Sequence, residues 1–352
     1  MISRQCFTKE WIDDQRNILG KPIDPGLLEK AIMAFELVGE LVESGLSFVF
    51  KGGTSLSLLM ESIRRLSIDV DIVTEESAEH IEQILSDIVN RSTIFTSWKE
   101  DIREPVARIP KKHYEVYFDS SIDKRAPVYV LLDVVFGKSS YPKIQSHVIK
   151  SPFITVEKEV HIMVPTLNGI LGDKLTAFAP HTIGIPFGKD KQTEINKQLF
   201  DIGTLFDIVD NLAEVKTSFS QTAIQQVGYH SKFLTLTDIQ ADIIGTCQMI
   251  TGMSTDTTKY NPDEKEIFTG IRGLRSFLLI SPYNIQEAQI NAARCACLIA
   301  GLEGKLDLNI VRPYKPEKIT PRPLSERFRR FERLKRTIPE AYYYWQVVDQ
   351  LI

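Results

Sequence analysis

Two aspartates one residue apart, Asp69 and Asp71, lie in the segment LSIDVDIVT, where apolar and polar residues alternate. Such alternation predicts a half-buried β-strand. Residues i and i+2 of a strand project from one face, so the two carboxylates would lie about 6 to 7 Å apart. Like charges at this distance are stabilised by a shared cation, and carboxylate oxygens suit Mg²⁺. An isolated Asp-x-Asp pair is also common on solvent-facing strands, so a metal site requires further ligands.

A third acidic residue, Asp133, stands between apolar neighbours in PVYVLLDVVF, which predicts a buried strand. A carboxylate in that position is costly unless it has a partner. It could lie at an edge or be satisfied locally, but a role as third ligand beside the Asp69–Asp71 strand explains it better. We therefore predict that Asp69, Asp71 and Asp133 bind a divalent metal.

A glycine turn precedes these acids in the segment FVFKGGTSLSLL. Gly52 and Gly53 allow the backbone to approach a ligand closely, and the helix that follows would direct its free N–H groups at that ligand. Thr54 and Ser55 add hydroxyl groups. Gly-Gly alone indicates only a tight turn. The order strand, Gly-Gly-Thr, helix and Asp-x-Asp strand is more specific, because it puts a phosphate-binding turn beside a metal site.

Four segments together resemble the AbiEii/AbiGii-type toxin nucleotidyltransferases, which belong to the polymerase-β-like superfamily. The segments are FVFKGGTSLSLL, RRLSIDVDIV, LGDKLTAFAPHTIGIPFG and EINKQLFDIGTLFD, and the resemblance extends from about residue 20 to 212. It implies that Lys174 and Asp201 correspond to later family motifs, although Phe200 stands where some members carry arginine. It also implies a nucleotide and metal site formed by Gly52, Gly53, Thr54, Arg65, Ser67, Asp69 and Asp71.

The resemblance implies a toxin that moves a nucleotide from an NTP to an RNA acceptor, most often the tRNA 3′ end, with Mg²⁺ bound and pyrophosphate released. Asp133 would take the proton from the acceptor hydroxyl, and Lys174 would neutralise charge on the pyrophosphate. An antitoxin protein from the same operon is the expected partner. Two alternatives stay open: nucleotidylation of a protein or small molecule, and a non-catalytic nucleotide- or RNA-binding regulator on the same fold. The presence of all three acids argues against the second.

The motif around Lys174, TLNGILGDKLTAFAP, has helical spacing that leaves this lysine able to reach a triphosphate. From the residues alone it could equally be a solvated helix lysine, free or paired with Asp173. The next segment, HTIGIPFGKDKQ, is a glycine-broken loop of the kind that closes over ligands. Its Lys189 and Lys191 could contact phosphate or remain solvated.

The elements that must position these residues divide into two regions. Asp24 as N-cap, Pro25 at the first helical position and Gly45 as the stop define a helix before the glycine turn. Residues 93 to 162 are strand-like, whereas nearly everything from Thr166 is helical. We predict an α+β polymerase-β-like nucleotidyltransferase domain with a mixed sheet over residues 1–165, followed by an all-helical domain over residues 166–352.

Composition limits the possible functions. The chain has 352 residues, 43% of them hydrophobic, and a net charge of −4, so no global basic field attracts nucleic acid and an RNA surface must be local. The four cysteines are expected to be buried, reduced thiols. Since neither a signal peptide nor a membrane-spanning run is evident, the protein is expected to be cytoplasmic, with no membrane partner.

One local basic segment extends from Arg312 to Arg336, with ten Lys or Arg against three Glu. RFRRFERLKR interleaves bases with aromatics, and AYYYW follows. The segment could bind an RNA backbone while its aromatics stack on bases. Alternatively, Phe328, Phe331 and Leu334, spaced i, i+3 and i+6, pack inward while the charges stay solvated. The sequence leaves both interpretations open.

Overall fold

The computed structural model describes residues 1–20, 23–103, 108–230, 233–254, 256–280, 283–304 and 306–352. The chain forms two compact units, Met1–Thr166 with Ser276–Ser281 and Leu167–Arg275 with Pro282–Ile352. The first unit is α+β and the second is helical, which confirms the predicted fold class. The elements of the first unit are α1 (Lys9–Leu19), α2 (Pro25–Glu43), β1 (Val49–Lys51), α3 (Gly52–Leu59), β2 (Val70–Thr74), α4 (Ala78–Arg91), β3 (Phe95–Glu100), β4 (Lys111–Phe118), β5 (Val128–Phe136), β6 (Ile144–Val148) and β7 (His161–Pro165).

Five strands form a mixed sheet in the order β1-β2-β5-β4-β3. Only the β2–β5 pair is parallel, and the other three pairs are antiparallel. Strands β6 and β7 form a separate antiparallel pair. The central position of β2 and β5 matters because these strands carry Asp71 and Asp133.

One face of the sheet is apolar and packs against α2 and α4. Val70 and Ile72 of β2 are fully buried there, as are Val130, Leu132 and Val134 of β5. Because side chains alternate along a strand, the residues between them project from the opposite face. Asp133 therefore lies on the partly exposed face of β5, so the strand predicted to be buried is buried on one face only.

The helix ends follow the predicted signals. Asp24 Oδ1 accepts a hydrogen bond from Leu27 N (3.0 Å), Pro25 begins α2, and Gly45 follows the helix with a φ of +80°. Two strands are shorter than predicted, since β2 begins only at Val70, one residue after Asp69, and FITVEKEVHIMV contributes only β7. The predicted helix after the glycine turn begins at Gly52 itself.

The second unit contains nine α-helices within the described residues. Helix α5 packs on α7, α6 on α9, and α10 on α6, α8 and α13. No helix within the described residues is both long and apolar enough to cross a membrane. The helices are α5 (Leu167–Ala177), α6 (Gln192–Phe206), α7 (Leu212–Tyr229), α8 (Leu236–Gly252), α9 (Pro262–Leu274), α10 (Ile285–Gly301), α11 (Leu308–Val311), α12 (Leu334–Thr337) and α13 (Pro339–Leu351).

A short segment of the C-terminal half belongs to the first unit rather than to the helical one. Leu66 N donates to Phe277 O (2.7 Å) and Leu279 N donates to Arg64 O (2.9 Å). These bonds tie residues 277–279 to the chain just before Asp69. A single boundary at residue 165 does not describe this return of the chain.

Candidate active site

A row of four polar side chains crosses the sheet on the face opposite α2. Lys51 is paired with Asp71, Asp71 with Asp133, and Asp133 with His113 in the strand register. Residues paired in this way project from the same face, on strands about 4.8 Å apart. The structure thus brings two of the three predicted acids into adjacent positions.

Asp133 is held by a histidine that the sequence analysis did not identify. His113 Nδ1 lies 2.6 Å from Asp133 Oδ1, and its side chain is 7% exposed, against 27% for Asp133. On the same face of β4, Glu115 pairs with Lys99 (2.9 Å). Burial alone would raise the pKa of Glu115, but hydrogen bonds from Tyr117 and Lys99 lower it, so this neighbour is ionised. The histidine fixes one carboxylate oxygen of Asp133 and leaves the other for a ligand.

The glycine turn lies directly against Asp71. Gly52 has a φ of +78°, in the left-handed region that favours glycine. A Cβ at this residue would stand 2.1 Å from Asp71 Oδ2, closer than any real contact. The turn and the carboxylate therefore occupy one site, and only glycine allows this approach.

Arg65 and Ser67 border the second glycine. A Cβ on Gly53 would stand 2.6 Å from Ser67 Oγ and 2.7 Å from Arg65 Nη2. Arg65 is buried, and its Nη1 donates to Leu66 O (3.0 Å). Arg65 and Ser67, two of the residues that the family resemblance assigns to the nucleotide site, therefore lie at the turn.

The hydroxyls of Thr54 and Ser55 are directed into the protein. Both residues are fully buried. Thr54 Oγ1 donates to Asp69 O (2.5 Å), and Ser55 Oγ donates to Gly52 O (3.1 Å). The Thr54 bond fixes the turn relative to the chain around Asp69, and the Ser55 bond lies within the turn. Lys51, the N-cap residue of α3, makes no side-chain cap bond, so an anion at this helix end would displace no capping side chain.

The donor set suits a magnesium ion that arrives with a nucleotide. Within the described residues, no group of three or more His, Cys, Asp or Glu side chains is arranged to hold a metal, so Asp69, Asp71 and Asp133 do not form a ready-made cage. Mg²⁺ is usually bound by one or two carboxylates together with substrate phosphates and water. The adjacent Asp71 and Asp133, next to the glycine turn, fit that mode of binding.

The two later motif residues form an ion pair within the helical unit. Lys174 Nζ of α5 lies 2.6 Å from Asp201 Oδ2 of α6, with side chains 5% and 3% exposed. Gln198 Oε1 also accepts from Lys174 (3.3 Å). The alternative of a solvated Lys174 is therefore wrong. An ion pair this deeply buried requires both partners, because either charge alone would be uncompensated.

The loop between α5 and α6 is held by three acids of the helical unit. His181 contacts Asp242 (2.9 Å) and Asp263 (3.2 Å), and Gly188 N donates to Glu266 Oε1 (2.7 Å). Burial alone would lower the pKa of His181, but the two aspartates raise it. Lys189 and Lys191 at the end of the loop are exposed. The loop is anchored at both ends, with its lysines in solvent.

The aromatic residues in and after the RFRRFERLKR part of the basic C-terminal segment are buried. Phe328 and Phe331 are fully buried, Leu334 is nearly so, and Tyr342–Trp345 are likewise inside. The proposed stacking of these aromatics on RNA bases is therefore wrong, and the inward packing of Phe328, Phe331 and Leu334 is confirmed.

Comparisons with known proteins agree on the fold. Residues 37–265 match the family described as "Nucleotidyl transferase AbiEii toxin, Type IV TA system". Among solved structures, MenT4, a nucleotidyltransferase toxin from Mycobacterium tuberculosis H37Rv, is similar with a TM-score of 0.52 at 13% identity, covering 96% of this chain and 98% of that one. At this identity the likeness shows the fold.

Two further structures are similar with lower scores. An antigenic nucleotidyltransferase-like protein from Paracoccidioides brasiliensis has a TM-score of 0.36 at 14% identity, over 57% of this chain and 86% of that one. The Megavirus polyadenylate synthase has a TM-score of 0.32 at 13% identity, over 69% and 42%. No curated protein sequence gives a significant match.

Proposed function

Because the chain belongs to the AbiEii nucleotidyltransferase toxin family of type IV toxin–antitoxin systems, we propose that it transfers a nucleotide from an NTP to an RNA hydroxyl, with the tRNA 3′ end as acceptor. The observation that carries the proposal is the in-register pairing of Asp71 with Asp133 beside Gly52. This arrangement puts two carboxylates beside the glycine turn, which would bind phosphate. The antitoxin of the same system is the proposed protein partner.

The acids and the turn have distinct roles in this proposal. Asp71 and Asp133, with Asp69 nearby in sequence, would hold Mg²⁺. The ion, when bound, neutralises phosphate charge and stabilises the entering and leaving oxygens of an in-line displacement. Backbone N–H groups at Gly53 and Thr54 would bind the phosphates, helped by the guanidinium of Arg65.

The transfer itself needs a base and a stabilised leaving group. Asp133 would take the proton of the acceptor hydroxyl while that oxygen bonds to the α-phosphorus. The bond between the α- and β-phosphates then breaks, and pyrophosphate leaves. His113 would keep the Asp133 carboxylate oriented for this step. Charge on the leaving pyrophosphate would be offset by the guanidinium of Arg65 and by the backbone N–H groups at Gly53 and Thr54.

The test is label transfer from each of the four NTPs, with Mg²⁺, to total tRNA, total RNA and total protein, resolved on denaturing gels. We expect Asp71→Asn to reduce transfer to tRNA by at least about a hundredfold, as removal of a preorganised charge-stabilising group does. Asp87→Asn is the matched control, because Asp87 is an exposed carboxylate on α4.

Three results would change the proposal. Unchanged nucleotide transfer by Asp71→Asn would show that the Asp71–Asp133 site does not carry the reaction. Label found only in the protein fraction would make a protein the acceptor. Tight NTP binding without transfer to any fraction would favour a non-catalytic regulator.

A further inference from the structure

Positive charge is concentrated on one short exposed stretch of the helical unit, Arg327–Arg336, which we term the cationic segment. The longer region from Arg312 to Arg336 has ten Lys or Arg against three Glu, an excess of seven positive charges. Since the whole chain has a net charge of −4, the remaining residues carry −11. The six cations of the cationic segment are all exposed, namely Arg327, Arg329, Arg330, Arg333, Lys335 and Arg336.

The apolar residues of the cationic segment hold it in place. The Phe328 and Phe331 rings lie 5.1 and 4.7 Å from the Trp345 ring, and Leu334 is 2% exposed. The Arg327 and Arg330 guanidiniums lie over the Phe328 and Phe331 rings, at 5.1 and 4.9 Å. The backbone that carries these cations is therefore held by buried apolar side chains, which reduces the entropy cost when the cations bind a ligand.

Most interactions of these cations leave their charge uncompensated. Arg330 donates to the neutral Gln248 (3.4 Å), and Arg333 donates to the Gly252 carbonyl (2.7 Å). Arg329 does pair with Glu326, but both side chains are at least 70% exposed, and such surface pairs are weak. Glu332 is engaged by Leu324 N and Tyr342 OH.

We infer that the cationic segment binds the phosphate backbone of the RNA acceptor, an inference that rests on the proposed function. The cationic segment passes through a 3-10 turn (Arg329–Phe331) into α12 and presents six exposed cations within ten residues, enough to contact several phosphates. Protein interfaces depend on exposed aromatic or apolar anchors, whereas the aromatics here are buried. A surface that offers charge alone fits a polyanion better than a folded protein. Because the cationic segment would contact phosphates and not bases, it would add affinity for RNA without sequence preference.

The test compares two triple variants with the same change in net charge. One is Arg329→Gln, Lys335→Gln and Arg336→Gln in the cationic segment. The control is Lys259→Gln, Lys265→Gln and Arg272→Gln, at exposed cations before and within α9. Binding of 5′-labelled unfractionated bacterial tRNA, without NTP, is followed by fluorescence anisotropy over a series of NaCl concentrations.

We expect the first variant to bind tRNA at least about tenfold more weakly at 0.1 M NaCl, with a shallower salt dependence. Each cation removed from a phosphate reduces the slope of log K against log salt by about 0.7 to 0.9. The control should bind as the native chain does. Equal weakening in both variants, or none in the first, overturns the inference. So does a first variant that fails to bind antitoxin while its tRNA affinity is intact, which would assign the surface to a protein.

Failure of this inference is distinguishable from failure of the proposed function. Asp71→Asn should reduce nucleotide transfer at least about a hundredfold and keep native tRNA affinity. If the native chain transfers label to tRNA while the first triple variant binds tRNA normally, the proposed function stands. Only the inference about the cationic segment then fails.

Discussion

Replacement of Gly52 by alanine tests whether the glycine turn and Asp71 form one site. The new Cβ would stand 2.1 Å from Asp71 Oδ2, and contacts under 3.0 Å essentially never occur. The two groups must therefore separate by at least 0.9 Å. Because Asp71 is fixed through β2 between β1 and β5, the separation has to displace either its carboxylate or the turn.

Gly45 provides a matched control for the backbone cost. It has a φ of +80°, close to the +78° of Gly52, but a Cβ there meets nothing within 4 Å. Alanine in the left-handed region costs about 1 to 2 kcal/mol at either position. Gly45→Ala should show only this decrease in free energy of unfolding. Gly52→Ala should also reduce transfer about a hundredfold, as a displacement of about 1 Å does in a positioned site.

The two variants are compared by urea denaturation, by Mn²⁺ binding in the presence of NTP, and by label transfer. Apart from the extra cost of the clash at Gly52, we expect similar free energies of unfolding for the two variants. Weaker Mn²⁺ binding and less label transfer are expected in Gly52→Ala alone. If Gly52→Ala binds Mn²⁺ and transfers label as well as Gly45→Ala, then the turn and Asp71 do not act together.

Three further predictions concern buried polar groups. His113→Asn, which keeps a donor toward Asp133, should retain most transfer, whereas His113→Phe should reduce it about 10- to 100-fold at comparable stability; equal rates in both variants would contradict the positioning role. Lys174→Met leaves Asp201 buried without its cation and should cost about 3 to 5 kcal/mol in urea unfolding, and adding Asp201→Leu should recover part of that cost. Burial raises the pKa of Glu36 from 4.5 to about 7, so the folded chain holds a proton that the unfolded chain releases. The contribution of Glu36 to the free energy of unfolding is therefore highest below about pH 4.5. It falls by up to about 3 kcal/mol as the pH rises from there through 7. Glu36→Gln should flatten that decline, and a native profile that does not fall over this range would refute the assignment.

Features set by neighbouring residues were predictable from the sequence. Asp24, Pro25 and Gly45 act within one helix, so their residue types determine where α2 begins and ends. The glycine turn was visible for the same reason. Its proximity to Asp71 is partly local too, because β1, α3 and β2 follow one another in the chain.

Features that depend on strand register or distant helices were not predictable. His113 meets Asp133 only because β4 and β5 pair in one particular register, and nothing in the KKHYEVYF segment specifies that register. The Lys174–Asp201 pair needs α5 and α6 to be packed. Likewise, the hydrogen bond of Leu66 with Phe277 joins residues more than two hundred positions apart. The spacing of acids in a single sequence contains no such information.

The apolar residues of β2 have a direct part in the chemistry, because they determine which face Asp71 occupies. Val70 and Ile72 are fully buried on either side of it. A slip of one residue in the pairing of β2 would bury Asp71 and expose both of them. Such a slip would cost the burial of two large aliphatic side chains, about 1.5 to 3 kcal/mol each, in addition to the desolvation of a carboxylate. The hydrophobic core therefore holds Asp71 in register with Asp133, so the same packing that stabilises the sheet also assembles the candidate site.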